Sequence, residues 1–268
     1  MELIARISRG TVMDQVYLPK KREGFGIGSH VVITPLEPSR PKKTLPKSFF
    51  YNIRVLEPIK LKIIADLFLS IARRVSRYDN IIVTGSFLEP GFRFNDIDIL
   101  LITDEKINTT DIHKDIDEQL GIKAHIIVLN KKILREGLAT DPLYQSMLST
   151  CVAKNRFIYK VVPRIKYRIL DLHLLKSKLL VDNFDILDGH EKYYLTRNLI
   201  AIAQYLKGKG VDRNQIDTEI KRIFHLNNVD EIKRNILDKG RFLKEYRMLY
   251  ENTFEIIMEG IRRGSEQK

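Results

Sequence analysis

The chain has 268 residues, 44% hydrophobic and 30% charged, the balance of a folded protein and not of a disordered one. Lys and Arg outnumber Asp and Glu by 46 to 34, a net charge of +12, which points toward a polyanionic partner such as a nucleotide or nucleic acid; a lysine-rich surface of the thermophile kind is the plainer account of the same excess. The lone cysteine, Cys151, excludes an internal disulfide, no run reaches the roughly 18 apolar residues of a membrane span, and the first ten residues lack a signal-peptide core, so a soluble cytoplasmic protein with no membrane partner is expected.

Residues 1–37 read as strand, short helical turn, strand: Val12, Val16 and Leu18 alternate imperfectly, a basic glycine-containing turn follows, and residues 30–36 form a compact β run. Residues 38–57 carry Pro38, Pro41 and Pro46 among basic residues and read as a linker. A helix starts at Pro58, where Ile59, Ile63, Leu67 and Ile71 recur every fourth residue with Ile64 and Phe68 beside them. Strands follow at NIIVTG and DIDILLIT. A polar helix comes next, with Thr110 as its cap and Gly121 as its stop, and then a third strand at KAHIIVLN. RFIYKVV, residues 156–162, reads as a last strand. The order over residues 58–162 makes a small α/β unit. Residues 163–268 read as a helical bundle, with Asp188 and Glu191 forming a capping box. The expected fold class is therefore α/β (α+β): a core with a small mixed sheet, an N-terminal β segment and a C-terminal helical bundle.

The stretch IIVTGSFLEPGFRFNDIDILLIT, residues 81–103, carries the chemistry. Gly85 and Ser86 end a strand in a turn where backbone N–H groups and a hydroxyl can reach a phosphate. Nine residues later Asp96 and Asp98 stand two apart on an apolar strand, so both carboxylates face one side while Ile97 and Ile99 face the core. Two carboxylates on one face repel unless a cation lies between them, and hard oxygen ligands suit Mg²⁺ or Mn²⁺. The plainer alternative is a solvated or helix-capping carboxylate pair.

Gly-Ser, a nine-residue gap and Asp-x-Asp together resemble the nucleotidyltransferase superfamily with the polymerase-β-like fold, especially its minimal archaeal and bacterial members. The resemblance covers about residues 60–160, including the helix before the first strand and the DPLYQSML…FIYK tail. It implies metal-dependent transfer of a nucleoside monophosphate from an NTP to a hydroxyl acceptor such as RNA or protein. Gly85 and Ser86 would then hold the triphosphate, with Arg93 as a further phosphate contact, and Asp96 and Asp98 would hold the metal. The chain departs from the family at the third core strand, where His125 stands in place of the usual carboxylate. His125 is then a substitute base, the mark of a weakened site, or a histidine without a chemical role. Phe87 and Leu88 are a second departure, where relatives carry a basic or small residue.

VMDQVYLPKKREGFGIGSHVVITPL resembles AbrB-type swapped-hairpin DNA-binding segments, which implies a homodimer with Lys20, Lys21 and Arg22 available to DNA phosphates. A small β cap on the catalytic domain is the alternative. The whole chain has a rival reading as a DNA-binding or antitoxin-like regulator with a degenerate nucleotidyltransferase domain. Arg168 and His173, four residues between them, resemble the Arg–His spacing of HEPN ribonucleases; Ile169 in place of a polar residue argues for coincidence. Tyr193, Tyr194 and Tyr205 are expected to be packing residues.

Overall fold

The computed structural model describes residues 7–18, 26–28, 31–33, 47–92, 94–157 and 161–266. The chain divides into two compact units, Met1–Thr44 and Leu45–Lys268.

In the first unit β1 (Ile7–Ser8) pairs antiparallel with β2 (Gln15–Val16). The residues between them form a bend, in which the Gly10 N–H lies 3.4 Å from Asp14 Oδ1, and most of the turn expected after Leu18 lies outside the described residues. Residues 31–33 of the expected β run carry no strand, and the rest of that run lies outside the described residues, as do Lys20, Lys21 and Arg22.

The second unit is a mixed α/β structure. Its five-stranded sheet has the order β3 (Phe49–Tyr51), β7 (Cys151–Ala153), β4 (Asn80–Thr84), β5 (Ile97–Ile102), β6 (Ala124–Leu129). Only β5 and β6 run parallel; the other neighbours are antiparallel. Every residue of β4 is buried, as a central strand covered on both faces requires. In β5 one residue breaks the burial, Asp98, between the fully buried Ile97 and Ile99.

Helix α1 (Pro58–Arg74) covers one sheet face with Ile64, Leu67, Phe68 and Ile71, as their spacing predicts. Helix α2 (Thr110–Leu120) adds Ile112 and Ile116 and ends on Gly121 at φ +62°. Its N-cap is Thr109 and not Thr110; Asn108 Oδ1 takes the first N–H, that of Thr110, at 3.0 Å. The other face is covered through Leu134 of α3 (Lys131–Thr140) and Leu148 of α4 (Pro142–Leu148).

Two sequence expectations are corrected. The last strand is Cys151–Ala153, not 156–162; residues 156, 157, 161 and 162 are not strand, and 158–160 lie outside the described residues. The pairing of Cys151–Ala153 with both β3 and β4 selects it, although three residues are too few to show a period. The expected linker contains β3, whose Tyr51 hydroxyl accepts the Phe157 N–H at 3.0 Å.

The remainder is helical: α5 (Tyr167–Asp182), α6 (Gly189–Leu206), α7 (Arg213–Phe224), α8 (Asp230–Lys233) and α9 (Lys239–Glu266). Helix α6 is buried almost all round and starts with the predicted Asp188–Glu191 capping box. The chain is not helical between α8 and α9. Asn235 there takes φ +59°, and its Oδ1 accepts from the buried Lys192 ammonium at 2.6 Å, a bond that a straight helix would not present. Among the described residues no helix is long and apolar enough to cross a membrane.

Candidate functional site

Strand pairing brings three sequence-selected residues to one place. Asp98 stands opposite Thr84 of β4 on one side and opposite His125 of β6 on the other. Nδ1 of His125 lies 3.2 Å from Oδ1 of Asp98. Gly85, next after Thr84, takes φ +85°, and a Cβ there would stand 2.1 Å from Oδ2 of Asp98. Glycine is thus required twice, for the left-handed backbone and for the space that the carboxylate fills. Asp96 lies just before β5, half-buried, and close enough for its charge to act on Asp98. The Asp98 carboxyl is held above the ordinary range: burial raises it most, the His125 contact opposes, and repulsion from Asp96 raises it further. Ser86 is exposed and opens a 3₁₀ turn, Ser86–Leu88, while Arg93 lies outside the described residues.

The loop between the Gly-Ser turn and the Asp pair is pinned from two sides. Phe87, Leu88 and Phe94 are buried in the core under α1, with the rings of Phe87 and Phe94 4.9 Å apart edge to face. This accounts for Phe87 and Leu88 where a basic or small residue was expected: they are the plug of the loop. Lys60 of α1, fully buried, pairs with Glu57 at 3.1 Å and donates to the Glu89 carbonyl. Its ammonium also lies 5.3–5.9 Å from the ring centres of Phe87, Phe92 and Phe94. Glu57 in turn accepts the Gly91 N–H at 2.6 Å. From the helical side, the Glu89 carboxylate is held by the Arg213 guanidinium and, at 3.0 Å, by Lys233.

Asp98, Gly85 and His125 line a cavity of about 330 Å³ between the sheet and the helical bundle. The helical wall was not legible as a site. Tyr194, Arg197 and Asn198 come from one face of α6, spaced three and four apart. Tyr193 and Tyr205 are buried as expected, but Tyr194 is 51% exposed, its ring 5.2 Å from the Arg197 guanidinium; it is a wall residue and not packing. Arg197 attracts the Asp98 carboxylate electrostatically and makes no ion pair among the described residues. Asn198 is 3% exposed, and its amide has no hydrogen-bond partner among the described residues. The signal for it was an Asn directly ahead of the apolar run LIAIA.

His173 of α5 also reaches this cavity, where its Nε2 lies 2.8 Å from Oδ2 of Asp141. Arg168 is exposed, and five residues along a helix separate it from the face of His173 by about 140°. The two do not form a joint site.

The donor set fits a hard divalent cation in part. Asp96 and Asp98 are two carboxylates that repel each other, and no Lys or Arg is paired with either among the described residues. No group of three or more His, Cys, Asp or Glu side chains suited to a metal occurs among the described residues. No family model, no curated protein and no solved structure matches the chain.

Proposed function

We propose that the chain is a metal-dependent nucleotidyltransferase that moves a nucleoside monophosphate from an NTP to a hydroxyl acceptor. The apposition of Gly85 against Asp98, beside Asp96 and in the wall of a cavity, carries this reading. The turn that starts at Gly85 would offer backbone N–H groups to a phosphate, and Ser86 has an exposed hydroxyl next to it. Asp96 and Asp98 are the residues that would hold Mg²⁺ or Mn²⁺. Such a cation, when bound, neutralises charge on the phosphates and on the departing pyrophosphate. Arg197 adds a positive charge on the opposite wall for the same anion. His125 orients Asp98 and stands where it can modulate that carboxylate. The net charge of +12 favours RNA as the acceptor.

The test is label transfer from each α-labelled NTP, with Mg²⁺ or Mn²⁺, into cell RNA, cell protein or the chain itself, beside the Asp96→Ala/Asp98→Ala double variant. Transfer that vanishes in the double variant is the expected result. A wild-type chain that shifts DNA in a salt-dependent manner and transfers no label would replace this reading with that of a DNA-binding regulator.

A further inference from the structure

The third core strand supplies His125 and no carboxylate, and His125 is already engaged with Asp98. The opposite wall of the same cavity holds a second imidazole–carboxylate pair, His173 with Asp141. Asp141 is fixed twice. It is the N-cap of α4, where Oδ1 accepts the Leu143 N–H at 2.8 Å, and Oδ2 meets His173. A carboxylate so anchored sets the tilt of the ring and favours the tautomer with its proton on Nε2, which leaves the lone pair on Nδ1. Nδ1 has no hydrogen-bond partner among the described residues. A neutral imidazole held by a fixed carboxylate is the arrangement of a general base.

A mere staple between α4 and α5 would explain the pair, but not its surroundings. The Asn198 amide has no side-chain partner among the described residues and faces the same cavity. An amide that turns both a donor and an acceptor to a cavity can pair with a polar ligand there.

We propose that His173, held by Asp141, takes the proton of the acceptor hydroxyl, and that Asn198 binds the acceptor. This rests on the nucleotidyltransferase reading. In the step the acceptor oxygen bonds to the α-phosphorus of the NTP. The bond from that phosphorus to the bridging oxygen breaks, pyrophosphate leaves with the electron pair, and the hydroxyl proton goes to Nδ1 of His173. The base then comes from the helical bundle, and the acceptor lies against α5 and α6 while the triphosphate lies against the Gly-Ser turn.

The experiment uses the full chain and α-labelled NTP with cell RNA, cell protein or the chain itself as acceptor, comparing wild type with His173→Gln, His173→Ala and Asn198→Ala. His173→Gln is expected to keep the unfolding midpoint and the KM for NTP, and to lose about 100-fold or more in kcat. Imidazole added to His173→Ala is expected to restore part of the rate, which a structural staple would not allow. Asn198→Ala is expected to raise the KM for the acceptor and leave that for NTP unchanged. A His173→Gln variant within about threefold of wild-type kcat, or one whose loss lies only in the KM for NTP, overturns the inference and leaves the enzyme reading standing. Wild type that transfers no label from any NTP removes both.

Discussion

A carbon added to Gly85 would stand 2.1 Å from the Oδ2 of Asp98, so the turn after β4 and the carboxylate of β5 occupy one another's space. Gly85→Ala must therefore move Asp98 or the turn. It is expected to abolish transfer and to cost about 1–3 kcal/mol of stability, strained φ included. Gly91→Ala is the control. Gly91 has a similar φ of +83°, but a Cβ there meets nothing within 4 Å. Thermal unfolding and label transfer on both variants separate backbone strain from displacement of Asp98: equal loss of activity in the two would refute the steric argument.

Glu89 joins the pinned loop to α7 and to Lys233. Burial pushes its carboxyl up, but Arg213 and Lys233 outweigh burial and hold it below its ordinary value of 4.5. A depressed carboxylate contributes stability above its unfolded pKa, and that contribution is lost as pH falls through the lower folded value. Glu89→Gln should thus cost about 1–3 kcal/mol at pH 7, and the gap to wild type should close as the pH drops below 4.5. Denaturant unfolding of both proteins from pH 3 to 7 reads this; a gap that stays constant across the range would dismiss the network.

Lys60 is the buried cation beneath the loop. Lys60→Met keeps the length and the apolar stem but strips Glu57 Oε2 of its ion-pair partner, and that atom has no hydrogen bond of its own. The expected cost is about 2–4 kcal/mol, with faster proteolytic cutting between residues 88 and 95. Unchanged cutting would mean that Phe87 and Phe94 hold the loop without the lysine.

Cys151 lies in β7, fully buried, and burial pushes its thiol up to about 12. A thiol-specific reagent at pH 8 should leave the native chain unmodified and label one thiol after denaturation. Rapid native labelling would show that the β3–β7–β4 edge opens.

Each part that the sequence foretold rests on local physics. Helix α1 shows its apolar stripe, α6 shows its capping box, and α2 shows its stop at Gly121, because caps and periods act over a few residues. The strands NIIVT, IDILLI and AHIIVL announce themselves by apolar runs, and of the residues singled out by sequence Gly85, Asp98 and His125 line the candidate cavity.

Tertiary structure alone decided the rest. Cys151–Ala153 became a strand because β3 and β4 flank it, and Phe49–Tyr51 became one because that strand was there to pair with. The break after α8 answers the buried Lys192, more than forty positions earlier in the chain. The second wall of the cavity draws on α4, α5, α6 and α7, where Asp141, His173, Asn198 and Arg213 each look like an ordinary cap, surface or core residue in its own segment. Sequence by itself determined the periodic and capped helices, three of the strands and the candidate residues Gly85, Asp98 and His125, since those depend on neighbours along the chain. Packing of distant segments determined the second wall, since a cavity exists only where two surfaces meet.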